Sequence, residues 1–247
     1  MALSSFADGS LFGTRFGTAP PRVVALHGWG RSHQDFAASL EGLNAVSVDL
    51  PGFGVSPAPS EVGGASMYAK LVAPILDICD TPVILVGHSF GGRLAVHLAE
   101  QRPAAIGGLV LTGVPLLHRA YRRGQPALRY RLGRLLHRWG VVNDGFLEGL
   151  RDKYGSADYR AASGVMRDIL VTVVNESYEQ QLRSISAPVD LVWGDGDDAA
   201  PPEIAARAEA LLADARLTLL GGIDHFVPTT APFALREAID RRLSALQ

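Results

Sequence analysis

The sequence predicts an α/β fold in which a mostly parallel, doubly wound sheet is interrupted by a helical cap insertion. Short apolar runs recur along the chain, and each is soon followed by a glycine. Helical patterns separate most of these runs, and this alternation is typical of right-handed βαβ units around a buried parallel sheet. The alternation stops between residues 115 and 185, where helical patterns continue without a convincing buried strand. We therefore expect a core of residues 1–114 and 186–247 and a cap of residues 115–185.

Six apolar runs are expected to form the strands of the sheet. They comprise residues 23–26, 45–49, 83–86, 108–111, 189–193 and 217–220. Periodic patterns predict helices over about 66–79, 90–101, 202–213 and 232–246. Before the first run, the dipeptide Asp8-Gly9 indicates the turn of a leading antiparallel hairpin.

Composition restricts the class of protein. The 247 residues carry a formal net charge of −2, and 47% of them are hydrophobic, as in a globular α/β protein. A single cysteine, Cys79, excludes a disulfide framework and a cysteine-rich metal site. The N-terminus lacks the pattern of a signal peptide, and no stretch approaches the ~20 apolar residues of a membrane span. We therefore expect a cytoplasmic protein without a membrane span, and the slightly acidic charge argues against nucleic-acid binding.

Residues 87–91, Gly-His-Ser-Phe-Gly, have the pattern of a nucleophile elbow, a sharp turn between a strand and a helix with a serine at its tip. The context fits, because an apolar strand pattern precedes the motif and a helical pattern begins with it. Small residues are needed around such a turn, and the motif's own glycines together with Gly92 meet that need. We expect Ser89 to be a nucleophile at the end of the strand; the alternative is an ordinary glycine-rich turn.

A serine hydroxyl needs a base that accepts its proton. His225 lies in the loop after the last predicted strand, at the sheet edge where the elbow also lies and where ligands bind in such folds. Six other histidines compete less well, because they belong to the first loop, the elbow, its helix or the arginine-rich insertion: His27, His33, His88, His97, His118 and His137. We expect His225 to be the base, and the alternative is a solvated loop histidine.

An imidazole base needs a carboxylate that fixes its tautomer and stabilises the imidazolium. The loop after the strand pattern 189–193 supplies Asp195, Asp197 and Asp198. The chain order serine, aspartate, histidine is the one expected for a serine on such an elbow. The strand that ends at Gly113 has no carboxylate nearby. From the residues alone, all three aspartates of the later loop remain candidates.

Attack on an acyl carbonyl creates an oxyanion that needs two N–H donors already in position. The backbone of Phe90, just after the nucleophile, is one expected donor. The second should come from the loop after the first buried strand, residues 27–30, where two glycines let the backbone approach a substrate. We expect the N–H of Trp29 to be this second donor.

These motifs resemble those of the α/β-hydrolase superfamily along essentially the whole predicted core. The similar segments are the oxyanion loop, the D-x-P-G-x-G-x-S turn, the elbow and the acid loop, at residues 27–30, 49–56, 87–92 and 194–201. The resemblance implies that Asp197 is the acid, because the proline of the family's acid loop follows it at Pro201, and that Asp49 is structural. Asp224 departs from the family, which usually has glycine before its histidine.

Within the superfamily, the first two motifs look like those of the carboxylesterase of biotin synthesis, which hydrolyses a methyl ester of pimeloyl-acyl carrier protein. The elbow differs, because His88 and Phe90 stand where that enzyme usually has tryptophan and leucine. We expect a serine esterase that acts through an acyl-enzyme on a small-molecule or carrier-linked ester, with no cofactor or metal. The alternatives are a carbon–carbon bond hydrolase or cofactor-free lyase with the same triad, and a hydrolase-fold small-molecule receptor.

The expected cap is unusually basic at its start. Residues 115–140 contain seven arginines and no acidic residue, although the chain as a whole is slightly acidic. An apolar stripe predicts a helix from Pro126 to Trp139, with three arginines on its opposite face, Arg131, Arg134 and Arg138. We consider two interpretations, a solvated outer face and a docking surface for an anionic partner such as an acyl carrier protein or a coenzyme A thioester.

Overall fold

One eight-stranded sheet forms the centre of the computed structural model, which describes residues 2–80, 82–119, 145 and 157–246. Its strands are β1 (Ser4–Phe6), β2 (Leu11–Phe16), β3 (Val23–Leu26), β4 (Ala45–Asp49), β5 (Val83–His88), β6 (Ile106–Thr112), β7 (Val189–Gly194) and β8 (Ala215–Leu220). Their order across the sheet is β1-β2-β4-β3-β5-β6-β7-β8. All six strands expected from the apolar runs are present.

The sheet is parallel except at β2, which pairs antiparallel with both β1 and β4. The other neighbours, from β4 through β3 to β8, run parallel. A short helical turn, Ala7–Gly9, joins β1 to β2, and Asp8 in it has a φ of 54°. The leading hairpin at Asp8-Gly9 and the mostly parallel α/β sheet are therefore both confirmed.

Nine α-helices lie among the described residues. They are α1 (Ala37–Leu40), α2 (Ala65–Val72), α3 (Phe90–Gln101), α4 (Ala157–Ala161), α5 (Gly164–Val173), α6 (Glu179–Ser184), α7 (Pro202–Glu209), α8 (Val227–Thr230) and α9 (Pro232–Ala245). The helix expected over 66–79 is α-helical only to Val72 and continues as a 3₁₀ helix, Ala73–Ile78. Pro74 lacks the N–H that would continue the α-helical hydrogen bonds, which explains the change.

Apolar residues on both faces of the sheet bury it between two layers of helices. Along β5, Val83 and Leu85 pack into one core with α2, α3 and α7, while Ile84 and Val86 pack into a second core with α1 and α9. Successive side chains of a strand point to opposite faces, so a continuous apolar run fills both cores. The doubly wound arrangement expected from these runs is confirmed.

Within the expected cap, the described residues 157–185 form α4, α5 and α6 between β6 and β7. The backbone N–H of Tyr178 donates to Leu116 O over 2.9 Å, which ties this segment to the residues that follow β6. The expected helix from Pro126 to Trp139 lies outside the described residues, and the limits of core and cap stay a prediction. Among the described helices, none is long and apolar enough to cross a membrane.

Candidate active site

The candidate site lies where the parallel strands end. The carboxyl ends of β3, β5, β7 and β8 meet at one edge of the sheet, because these strands are parallel. Loops that leave such an edge form the usual ligand crevice of an open α/β sheet. The four segments expected to carry chemistry all follow these strands, which places them around one cleft.

Ser89 stands on the turn between β5 and α3 with a strained backbone, φ 49° and ψ −110°. A non-glycine residue in this region is uncommon and is held there by its surroundings. The packing around the turn leaves no room for side chains: a Cβ on Gly87 would lie 2.4 Å from Gly92 Cα, and one on Gly91 would lie 2.1 Å from Leu26 O. The glycines of the motif are therefore needed for close backbone approach.

His225 lies between β8 and α8, and its side chain contacts one of the three candidate carboxylates. Its Nδ1–H donates to Asp197 Oδ2 over 2.8 Å. Asp197 is 3% exposed, whereas Asp195 and Asp198 are exposed. Of these three aspartates, Asp197 is the one that the fold brings to the imidazole. Asp195 Oδ1 instead accepts from the N–H of Gly222, which ties the acid loop to the histidine loop.

Backbone donors and packing hold the Asp197 carboxylate in place. Its Oδ1 accepts from the N–H groups of Ala199 and Ala200, over 2.9 and 2.7 Å. The indole N–H of the fully buried Trp193 donates to Ala200 O over 2.7 Å and fixes the same loop. With both oxygens occupied, the carboxylate holds His225 with a proton on Nδ1 and a lone pair on Nε2.

Ser89 and His225 line the same cleft, and no direct hydrogen bond joins their side chains in the described part of the chain. Such contacts are often long without substrate and shorten when one binds. The Cβ position of Gly28 is 3.4 Å from Ser89 Cβ, so the loop after β3 also comes close to the serine. The fold thus brings the expected nucleophile, base and donor loop together.

Trp29 and Phe90, whose N–H groups are the expected oxyanion donors, contact each other. Their rings pack edge to face with centroids 5.2 Å apart. Phe90 is the first residue of α3, so its N–H has no intrahelical acceptor. The N–H of Gly91 donates to His27 O over 3.0 Å and holds the two segments together. A ligand oxygen at this point would meet the positive end of α3.

His88 has a supporting role at the site that its sequence context did not indicate. Its side chain is 1% exposed, and its Nε2–H donates to the backbone oxygen of His225 over 2.9 Å. Burial, aided by the neighbouring His225, lowers the pKa of His88 to about 3, so this ring is neutral at ordinary pH. His88, on the elbow, therefore supports the loop that carries His225. The two residues are far apart in sequence, and the fold brings them into contact.

The cleft has a volume of about 700 Å³ and mixes apolar walls with a few polar groups. From the described cap segment it receives the side chains of Leu170, Val173 and Val174. One charged residue of α3, Arg93, also lines it, although its side chain is buried. Sequence reasoning missed Arg93; the signal was a lone cation among the apolar residues of the elbow helix.

The remaining expectations concern the cap arginines, a metal site and Asp49. Arg131, Arg134 and Arg138 lie outside the described residues. Within the residues that the structure describes, no three histidine, cysteine, aspartate or glutamate side chains cluster in a way that could hold a metal ion. Asp49 accepts from the backbone N–H and the ring of His33, at 2.9 and 2.8 Å, which fits the structural role expected for it.

Comparison with known proteins matches nearly the whole chain to one family. A family model described as the alpha/beta hydrolase family matches residues 23–238. A 2-hydroxy-6-oxononadienedioate/2-hydroxy-6-oxononatrienedioate hydrolase of Burkholderia vietnamiensis is 27% identical over 85% of this chain and 82% of its own length. A pimeloyl-[acyl-carrier protein] methyl ester esterase of Nitrosospira multiformis is 25% identical over 83% of this chain and 88% of its own length.

A solved structure has the same fold over the full length. The esterase RhEst1 from a Rhodococcus species superimposes with a TM-score of 0.69 and is 24% identical, covering 100% of this chain and 99% of its own.

Proposed function

This chain belongs to the alpha/beta hydrolase family, and we propose that within it the protein is a serine hydrolase that cleaves a carboxylic ester. The observation that carries the proposal is the arrangement of three residues around one cleft. Ser89 stands on a strained turn, His225 lines the same cleft, and Asp197 holds His225 through Nδ1. The esterase from Nitrosospira multiformis, similar over most of the chain, supports the ester class.

In the proposed mechanism, Ser89 Oγ attacks the acyl carbonyl while His225 Nε2 accepts the hydroxyl proton. Asp197 stabilises the imidazolium that forms. His225 then gives the proton to the leaving alcohol, and an acyl-enzyme remains on Ser89. A water molecule that loses its proton to His225 attacks the acyl group, and the carboxylic acid leaves as Ser89 regains its proton.

The N–H groups of Trp29 and Phe90 complete the proposal as oxyanion donors. Negative charge develops on the carbonyl oxygen only as the tetrahedral intermediate forms, so donors fixed beforehand favour the transition state over the bound ester. Their positions depend on the bond between Gly91 and His27 and on the packing of the two rings.

Ser89→Ala tests the proposal most directly. We expect turnover of p-nitrophenyl esters to fall at least about 10⁴-fold, because only binding and oxyanion stabilisation remain. A fluorophosphonate probe should label the wild-type protein and not this variant. Ser244→Ala, a matched change on the exposed face of α9, should leave both results unchanged. Full activity in Ser89→Ala would exclude the mechanism, and absence of labelling in the wild type would favour a receptor.

The relative from Burkholderia vietnamiensis supports a second candidate, a carbon–carbon bond hydrolase with the same triad. The two candidates differ in the bond that breaks and share the nucleophile, so the probe does not separate them. The two candidates can be separated by their kcat/KM values. These should be measured for a panel of p-nitrophenyl esters and acyl thioesters and for a 2-hydroxy-6-oxo dienoate.

The specific substrate that the Nitrosospira relative supports is a carrier-linked acyl methyl ester, with the basic start of the cap as docking surface. This docking proposal rests on sequence, because the arginines concerned lie outside the described residues. Association through such a surface weakens as salt screens it. A carrier-linked ester should lose kcat/KM with rising salt and a neutral ester should not. That contrast should disappear when three arginines are replaced by alanine: Arg131, Arg134 and Arg138.

A further inference from the structure

A buried arginine stands one helical turn from the candidate nucleophile. Arg93 is four residues after Ser89, so its Cα lies about 6 Å further along the axis of α3. Side chains of a helix lean toward its N-terminus, which in α3 is the end that carries the elbow. The side chain is 6% exposed, yet the residue lines the cleft that Ser89 and His225 share.

Among the described residues, hydrogen bonds occupy only part of the Arg93 guanidinium. Arg93 Nη1 donates to Val173 O and lies 3.4 Å from the hydroxyl oxygen of Tyr178, whose ring it also faces at 5.7 Å. No ion pair of the described chain includes Arg93. The nearby Glu176 accepts from the Tyr178 hydroxyl instead.

The donors on Nε and Nη2 of Arg93 have no acceptor among the described residues. They are not sealed inside the protein, because the buried side-chain atoms without a partner in that part of the chain are His88 Nδ1 and Thr112 Oγ1. Arg93 lines the cleft, so the cleft is the space from which a ligand can reach these donors. A cation that is nine-tenths buried and has no carboxylate partner is costly unless an anion reaches it.

Other charged groups of the cleft do not offer the same site. Arg31 also lines it, but its Nε and Nη2 both donate to Asp35, each over 2.7 Å. The acidic residues that line the cleft, Asp158, Asp198 and Asp224, are exposed and screened by water. The inner wall is thus positive at Arg93, and the exposed rim is acidic.

We propose that Arg93 is a substrate-binding residue that takes a carboxylate of the acyl chain, so that the preferred ester is a half-ester of a dicarboxylic acid. Nε and Nη2 form an edge that matches the two oxygens of one carboxylate. One guanidinium balances one negative charge, which suits a carboxylate better than a doubly charged phosphate. The apolar walls at Leu170 and Val174 suit the methylene groups between the two carbonyl carbons. The inference rests on the proposed ester hydrolysis at Ser89.

The test uses pairs of p-nitrophenyl esters that differ only in the end of the acyl chain. One pair is the butyrate and the hemisuccinate, in which a carboxylate replaces the terminal methyl, and longer pairs extend the chain by one methylene at a time. In Arg93→Met, kcat/KM for the best carboxylate ester should fall about 10- to 150-fold, the range for a charge-assisted hydrogen bond. For its neutral partner the fall should be clearly smaller, so the ratio of the two kcat/KM values should drop.

Two further variants separate binding from folding. Arg93→Lys keeps the positive charge but loses the paired donors of the guanidinium. Its kcat/KM for the carboxylate ester should therefore fall less than that of Arg93→Met. Its preference for the carboxylate ester over the neutral one should still be weaker than in the wild type. Arg183→Met removes an exposed arginine of α6 and should leave both esters unchanged. A structural role for Arg93 would lower activity on both esters equally. Such an equal loss, or a wild-type enzyme that handles each pair alike, would overturn the proposal.

A binding measurement keeps the inference distinct from the proposed function. Succinate and glutarate should raise the melting temperature of wild-type protein and of Ser89→Ala, and should not raise that of Arg93→Met. If the wild type hydrolyses none of the esters but shows this Arg93-dependent stabilisation, ester hydrolysis fails and the carboxylate site stands. If it hydrolyses neutral esters and dicarboxylates have no effect in any variant, the carboxylate site fails alone.

Discussion

Replacing Asp197 with asparagine should reverse the tautomer of His225. The carboxylate now accepts at both oxygens, from Ala199 and Ala200 N–H at Oδ1 and from the imidazole at Oδ2. The asparagine must keep its carbonyl oxygen toward the two backbone donors, because the flipped amide would set its NH₂ against both of them. Its NH₂ then faces His225 Nδ1, which must accept, so the ring proton moves to Nε2 and the lone pair needed for Ser89 is lost.

The expected loss is about 10⁴-fold in kcat, or about 5.4 kcal/mol in the barrier at 1.36 kcal/mol per factor of ten. Retaining the two backbone bonds to the side chain should leave the fold almost unchanged. Hydrolysis of a p-nitrophenyl ester measures the loss, and thermal unfolding followed by circular dichroism verifies the fold.

Asp195→Asn is the matched control in the same loop. Its amide oxygen still accepts from Gly222 N–H, so activity should stay within about threefold of wild type. If Asp197→Asn keeps activity within tenfold of wild type while remaining folded, the assignment of Asp197 is wrong. If Asp198→Asn is the disabling change instead, the acid lies one residue further along the loop.

Three further predictions concern the support of the site and the fold. Gly91→Ala should lower both stability and activity, since its Cβ would lie 2.1 Å from Leu26 O and 2.6 Å from His27 O; unchanged melting would contradict the packing. Burial lowers the pKa of His27 to about 4 and of His88 to about 3, from 6.5, so the unfolded chain binds more protons below pH 6.5. The free energy of unfolding in urea should therefore fall as pH drops from about 6.5 toward 4, and His88→Gln should flatten this slope; equal slopes would argue against it. Asp190→Ala leaves two arginines of α9 without their buried partner and should cost roughly 3 kcal/mol in the free energy of unfolding, with kcat/KM unchanged.

The family and the order of the motifs could be predicted from the sequence, because each motif depends on the conformation of a few neighbouring residues. A continuous apolar run such as 83–86 predicts a strand buried on both faces. The glycines around Ser89 indicate the strained turn, because the turn requires small residues. Histidine and aspartate loops after later strands must meet the elbow, since parallel strands end at one edge. Where Pro74 removes an N–H, the helix pattern predicted the element but not its change to a 3₁₀ helix.

Only the tertiary structure shows how residues of the same type differ in burial and in contacts. The spacing and chemistry of the acid loop leave three aspartates open, and the family resemblance favours Asp197. The contact itself comes from the path of the loop, which buries Asp197 against His225 and leaves the other two exposed. Likewise, the sequence does not distinguish Arg93 from the other arginines, whereas the fold places it in the cleft wall without a carboxylate partner among the described residues. Burial and the absence of a partner arise from segments far apart in the chain, such as 89–93 and 173–178. A pattern of neighbouring residues cannot predict those contacts, because the partner in each contact is distant in sequence and is brought close only when the chain folds.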